Sequence, residues 1–246
     1  MRRRSPFSLR LWLFFVPALC SCSTMTTPVL RHETGEALGA KRIKVAAKYE
    51  SSRIYTFVPS GSPVNGIPQE GQIFQGSLFG LQGTVGVMQR IDFQLGWFLS
   101  YHGAGWRVGG KYQILRKNRL AVAGMLGYGA YSSSGTVSYF TAMQPLEIDQ
   151  TLSANTVDLS IPVSYRLTSG VAAYSGLMLF RSGITGTAGG VSVSGLTFDL
   201  GSNLGFRLNM DQYEADIEAA FLRIYDPFVD GYRIVPYVGV SVGIIF

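Results

Sequence analysis

Residues 91–102 read Ile91-Asp92-Phe93-Gln94-Leu95-Gly96-Trp97-Phe98-Leu99-Ser100-Tyr101-His102. The odd-numbered positions are all large and apolar or aromatic. The even-numbered ones are small or polar, Phe98 excepted. Side chains of an extended strand point to opposite faces in turn, so this stretch has one greasy face and one polar face. A helix would mix the two sets, because residues 91, 94, 95 and 98 would share one side. The same period of two returns elsewhere. Trp106, Val108, Tyr112 and Ile114 alternate with Arg107, Gly109, Lys111 and Gln113. Leu196, Phe198, Leu200, Leu204, Phe206 and Leu208 alternate with Thr197, Asp199, Gly201, Asn203, Gly205 and Arg207. Tyr213, Ala215, Ile217, Ala219 and Phe221 alternate with Glu214, Asp216 and Glu218.

Working outward from these stretches, ten strands are expected, near 43–57, 73–88, 91–102, 106–115, 120–131, 151–167, 171–183, 191–209, 212–225 and 232–246. Most exceed the mean soluble strand of about 5–6 residues and match the roughly 9–11 that a tilted strand needs to cross a bilayer. No later apolar run is long enough for a transmembrane helix. The connections alternate as well. Gln89-Arg90, 116–119, 168–170 and Met210-Asp211 are short, whereas 58–72, 132–150, 184–190 and 226–231 are longer, the connection at 103–105 being the exception in the second set. Short turns at one rim and longer loops at the other are the pattern of a transmembrane barrel. The expected fold class is therefore all-β: a single antiparallel up-and-down transmembrane β-barrel of about ten strands, with eight or twelve as alternatives. An even strand number puts both ends of the barrel on the short-turn side.

Alternation alone also suits a soluble lipocalin-like barrel, whose apolar face turns inward. Three features favour the reverse arrangement. The apolar faces are large and nearly free of charge, and in water they would expose far more than a few hundred square ångströms. The polar faces carry many small residues (Gly80, Gly86, Gly96, Gly109, Gly127, Gly129, Gly201 and Gly205 among them), which suits a crowded lumen. Aromatic residues recur near strand ends, at Trp97, Tyr101, Trp106, Tyr165, Tyr213, Tyr225 and Tyr232, as interfacial girdles require.

The final stretch runs from Ile234 to Phe246, with Val238, Val240, Val242 and Ile244 on one face and an aromatic residue last. It resembles the C-terminal β-signal of bacterial outer-membrane proteins, with Tyr237, Gly239, Val242, Ile244 and Phe246 in the matching places. That resemblance implies a location in the cell outer membrane, outer-membrane lipid around the wall, and a barrel-assembly machinery as partner during biogenesis. Pro162 and Pro236 fall inside expected strands, where each removes a ladder hydrogen bond.

The other end of the chain carries an export address. Arg2, Arg3, Arg4 and Arg10 precede the nine-residue apolar run Leu11–Leu19, the layout of a secretory signal peptide. Lys and Arg total 21 and Asp and Glu 15; without those four arginines the balance is 17 against 15, a net charge of +2. The formal +6 thus gives no case for nucleic-acid binding. Leu19-Cys20-Ser21-Cys22 resembles the lipobox of bacterial lipoproteins, which implies lipidation at Cys22. The expected organisation is a signal peptide at 1–21, a periplasmic tether at 22–40 and the barrel at 41–246.

The inward faces carry charges of both signs: Lys44, Lys48, Glu50, Asp92, Arg107, Lys111, Asp158, Asp199, Arg207, Glu214, Asp216 and Glu218. One reading is that they pair across a filled lumen, since the interior of an eight-stranded barrel is just filled by its side chains. The other is a narrow hydrated pore with charged walls. An enzymatic reading, as an outer-membrane barrel acting on lipid or peptide at its rim, rests on Ser100 and His102 alone. A nucleophile needs a base and a group to orient that base, and no third member is evident. His32 lies apart in the tether, and two such histidines make no metal site. No nucleotide, hydrolase or metalloprotease motif occurs, and no cofactor is expected. The reading is an outer-membrane barrel of structural, small-pore or surface-binding type, with the loops at 58–72 and 132–150 best placed to meet a solute or surface ligand.

Overall fold

The computed structural model describes residues 24–56, 72–100, 103–140, 145–188, 191–226 and 231–246. It contains β1 (Thr24–Thr27), β2 (Ile43–Thr56), β3 (Gln72–Met88), β4 (Ile91–Ser100), β5 (Gly103–Lys117), β6 (Leu120–Phe140), β7 (Pro145–Arg166), β8 (Val171–Ala188), β9 (Val191–Met210), β10 (Tyr213–Asp226) and β11 (Gly231–Ile245). Each of β2 to β11 pairs antiparallel with its neighbours in sequence, and β11 returns to β2. The wall is thus a closed ten-stranded up-and-down barrel. At the short-turn rim, Asn118 and Asp211 adopt left-handed backbone (φ 52° and 55°) in two-residue turns, a conformation their short polar side chains tolerate.

The alternation faces the way a membrane wall demands. Along β4 the polar residues Asp92 and Gln94 are fully buried, while Phe93, Trp97 and Leu99 are exposed. Leu126, Leu159, Leu177, Leu204, Ile217 and Val240 continue that apolar outer surface around the barrel. The soluble lipocalin-like alternative fails here, because the polar residues turn inward. Trp97 lies opposite Trp106, whose ring is 5.8 Å from Tyr128, in one aromatic level. Tyr112, Tyr165, Tyr213 and Phe246 project outward nearer the short-turn rim. Tyr101 lies outside the described residues.

Two expected loops are shorter than anticipated. β6 and β7 stay paired from Ser132↔Ser153 to Phe140↔Pro145, so most of 132–150 is a protruding hairpin, supported by Thr136 Oγ1 donating to Asp149 Oδ1 at 2.9 Å. β8 likewise runs to Ala188. Residues 103–105 begin β5 rather than forming a connection. The loop at 58–72 lies outside the described residues except Gln72, which opens β3.

Both prolines sit where the ladder is interrupted. Pro162 stays opposite Gly176 of β8, but the β6–β7 register skips from Val122↔Val163 to Met125↔Ser160, and Pro162 falls in that gap. Pro236 lies on the part of β11 beyond Gly239↔Glu50, where the pairing with β2 has stopped.

The main departure concerns residues 22–40, expected as a periplasmic tether. Residues 27–35 are buried, and from β1 the chain runs down the inside of the barrel to the short-turn rim. There Lys41 N–H donates to Gly86 O at 2.9 Å before β2 starts. Residues 27–38 are therefore a lumenal segment. A ten-stranded ring is wider than the eight-stranded kind that side chains alone can fill, and one extended chain takes up the difference.

The outward face gives a direct test. Leu159→Arg places a cation at mid-depth in the hydrocarbon and should cost about 2–4 kcal/mol, whereas Leu167→Arg at the short-turn rim should cost about 0–1 kcal/mol. Urea unfolding of the barrel in lipid vesicles measures both.

Candidate functional site

The site is the lumen, and it has two storeys. Towards the loop rim it is apolar. Leu78, Phe98, Tyr131, Leu152, Ala154 and Ile184 form one buried cluster. Val29 and Leu30 of the lumenal segment pack into a second, with Met178, Phe180, Ala220, Leu222, Ile224 and Tyr237 of the wall. Towards the short-turn rim the lumen is charged; every charge named from the sequence is buried, and most of them lie there.

The wall residues pair first with one another. Lys44 Nζ meets Glu214 Oε1 at 3.0 Å, and Arg207 meets Glu214 at 3.0 Å and Asp216 at 2.7 Å. Arg107 forks onto Asp158 with contacts of 2.9 and 2.8 Å. Lys111 meets Asp92 at 3.2 Å. Arg53 forms a close ion pair with Asp199 above them. Three charges named from the sequence, Lys48, Glu218 and Glu50, are held otherwise, Glu50 beside His32 of the lumenal segment. Lys48 donates to Gln82 Oε1 at 2.6 Å, and Glu218 accepts from Tyr174 and Asn203 at 3.1 and 2.9 Å.

The lumenal segment locks into that network through both side chains and backbone. Glu33 bridges Lys44 and Lys111 at 3.4 and 2.9 Å and accepts from Gln82 Nε2 at 3.0 Å. Arg31 Nε donates to Asp158 at 3.2 Å, and its guanidinium lies 4.8 Å over the Phe180 ring. Glu36 accepts from Arg166 at 2.7 and 2.9 Å. The backbone N–H groups of Arg31 and His32 both donate to the Glu218 carboxylate, at 3.3 and 2.6 Å. Lys48 donates to the Arg31 carbonyl and Arg207 to the His32 carbonyl, each at 2.9 Å. Leu38 N–H donates to Asp92 at 2.9 Å. His32 sits in the left-handed region (φ 50°), which lets two successive N–H groups converge on one carboxylate. Its imidazole Nε2 lies 3.7 Å from Glu50 Oε2, both side chains fully buried.

Close backbone passage needs small residues. A Cβ on Gly35 would lie 2.3 Å from Ala121 O, and one on Gly86 would lie 1.7 Å from Gly39 O. These two glycines are where the segment brushes the wall at the Pro162 gap and at its exit.

Below the ion pairs, an open cavity of about 250 Å³ lies at the short-turn rim, lined by Glu33, Glu36, Arg42, Lys111, Arg166 and Asp211 among others. Sequence reasoning missed Arg31, Glu33 and Glu36 as lumen residues because they were assigned to the tether. Their signal was the charged run Arg31-His32-Glu33 after the apolar pair Val29-Leu30. In the final strand Val242, Ile244 and Phe246 point outward, while Tyr237 is buried within the apolar storey and Gly239 lies beside Leu30. Phe246 exchanges backbone hydrogen bonds with Ile43, at 2.8 and 3.1 Å. Cys22 and His102 lie outside the described residues. Ser100 Oγ donates to Gly103 O at 3.1 Å.

An apolar belt around a closed barrel with a charged, hydrogen-bonded interior is a structure for a bilayer, where every backbone polar group must be satisfied within the protein. The fold is that of a bacterial outer-membrane β-barrel. No family model matches the chain, and no curated protein matches it. Among solved structures it is similar to Ail, the attachment invasion locus protein of Yersinia pestis, at 12% identity over 84% of this chain and 99% of that one, with a TM-score of 0.41. It is similar to the translocator domain of the autotransporter NalP from Neisseria meningitidis, at 10% identity over 86% and 90%, with a TM-score of 0.49. An outer membrane channel from Pseudomonas putida F1 gives 9% identity over 86% and 97%, with a TM-score of 0.47. At these identities and TM-scores the likeness says nothing of this chain's role.

Asp158 holds Arg31 of the segment and Arg107 of the wall at once. Asp158→Asn leaves two buried guanidiniums without their counter-charge and should cost about 3–5 kcal/mol. Thr136→Ala, which removes an exposed hydrogen bond on the protruding hairpin, should change stability little. Urea unfolding followed by tryptophan fluorescence compares the two.

Proposed function

We propose that this chain is a self-plugged outer-membrane barrel, closed at rest, whose role is structural or surface-binding rather than that of an open pore. One observation carries the reading: residues 27–38 fill the lumen and are bonded to the wall on several sides. The charges that could line a pore are spent on each other and on that segment. In this reading outer-membrane lipid surrounds the wall, the assembly machinery takes up the strand ending at Phe246, and ligand contacts belong to the outer loops and the β6–β7 hairpin. It assigns no reaction to the chain.

A second reading is favoured by one feature of the same network. Lys44, Arg53, Arg107, Lys111 and Arg207 each keep a wall carboxylate that does not depend on the segment. Withdrawing the segment would leave a wall still largely neutralised, so the barrel could act as a pore with a removable plug.

Planar-bilayer recording separates these. The intact protein should insert without conductance steps, and a variant lacking residues 24–38, checked for heat-modifiable gel migration as a sign of folding, should conduct. Steady open-channel current from the intact protein at low voltage would overturn the closed barrel. Conductance of the intact protein that appears only above a threshold voltage would favour the removable plug.

A further inference from the structure

The two rims of the barrel differ, and the lumenal segment joins them in a defined direction. One rim carries the turns Gln89-Arg90, Asn118-Arg119, 167–170 and Asp211-Gln212, together with Phe246 beside Ile43. Short turns mark the periplasmic side of outer-membrane barrels, and long connections mark the outer side. β2 climbs from Ile43 at the first rim to Thr56 at the second.

β1 runs antiparallel to β2, with Thr27 opposite Arg53 and Thr24 opposite Thr56. The other edge of β2 is taken by β3 along its whole length, Ile43↔Val85 to Thr56↔Gln72. So β1 occupies the edge that β11 has left: the β2–β11 pairing ends at Glu50↔Gly239, followed by Ser51, whose Oγ accepts from Val238 N–H at 2.7 Å and donates to Val238 O at 3.1 Å. Followed towards its start, the segment rises from the periplasmic rim at Lys41, passes the ion pairs and then the apolar storey, and reaches the loop rim at Thr24.

We propose that the residues preceding Thr24 leave the barrel at its outer rim, so that the processed N-terminus is displayed on the cell surface while Phe246 remains at the periplasmic rim. A return path through the lumen is blocked, because Leu78, Phe98, Tyr131, Leu152 and Ile184 already close round the upper lumen. The placement bears on the lipobox-like Leu19–Cys22. Cys22 stands two residues before Thr24, and two residues reach at most about 7 Å. The inner leaflet, to which a periplasmic tether would lead, lies at the opposite rim from Thr24.

The inference shares the lumenal segment with the proposed function, yet the two fail separately. A segment bound in the lumen but reaching it from the periplasm would keep the barrel closed and still give a negative result here. The test inserts an epitope between Ser23 and Thr24 of the full chain, and in a second variant within the Asn118-Arg119 turn. Antibody on intact cells should bind the first and reach the second only after permeabilisation. Binding of the first only after permeabilisation, or of the second on intact cells, would overturn the proposal. Should the insertion prevent assembly, the Thr26→Cys, Ile54→Cys pair decides. These positions face each other across β1 and β2, within the span a disulfide bridges. Peptide mapping should find the 26–54 cross-link in the assembled barrel, and an assembled barrel without it overturns the proposal.

Discussion

A peptide chain laid through a dry tube has N–H and C=O groups that need partners. The wall here supplies them from charged side chains. Glu218 takes two successive N–H groups, Asp92 takes the N–H of Leu38, and Lys48 and Arg207 donate to the carbonyls between. An unpaired buried backbone group costs about as much as a lost hydrogen bond, and each of these contacts removes such a cost. The acidic ladder Glu214-Asp216-Glu218 is thus more than a set of ion-pair partners. Among the described residues its uppermost member, Glu218, lies within hydrogen-bonding distance of no wall cation, and it serves instead as the seat of the segment's backbone. The rest of the lumen is arranged around that seat, with most guanidiniums and ammoniums below it, and aliphatic and aromatic side chains together with the Arg53–Asp199 pair above.

The division into storeys follows from the same need. Charged groups can be sunk inside a barrel only where each finds a counter-charge and further hydrogen bonds. Those partners are concentrated where the segment carries Arg31, Glu33 and Glu36. Where it carries Val29 and Leu30, the wall answers with Met178, Phe180, Leu222 and Tyr237. The segment and the wall match in register along the barrel axis, as two faces of a folded core do. The glycines of the inner faces complete the fit. Gly127 leaves space for the Arg107–Asp158 pair, and Gly205 for the Tyr174 ring that hydrogen-bonds to Glu218.

The wall was legible in the sequence because a strand writes its environment into every second residue. Asp92 and Gln94 against Phe93 and Leu95 declare a sidedness that no neighbour can overrule, and the count of ten strands follows from repeating that reading. Inward charges were legible for the same reason. Residues 24–38 were not, since an extended chain surrounded on all sides has no two-faced alternation to show. Val29, Leu30, Arg31, His32 and Glu33 are buried alike, and such a run looks like any polar tether. The glycine-rich inner faces did announce a crowded lumen, but nothing in their spacing says that part of the crowd is the chain's own beginning. Strand ends were blurred where pairing outlasts alternation, as in the Ser- and Thr-rich arms of the β6–β7 hairpin.

The seam between β2 and β11 gives the molecule the topology of a lasso. Its ring is closed by hydrogen bonds between the first and last wall strands, and the part lying inside the ring precedes both in sequence. Connections in folded proteins rarely thread through closed loops. Pushing Arg31 and Glu33 down through the apolar storey of a finished barrel would strip their hydration before any partner was reached. The ring must therefore be drawn shut around a segment already in place. The pairing of β11 with β2 that completes the wall therefore also seals residues 27–38 inside it.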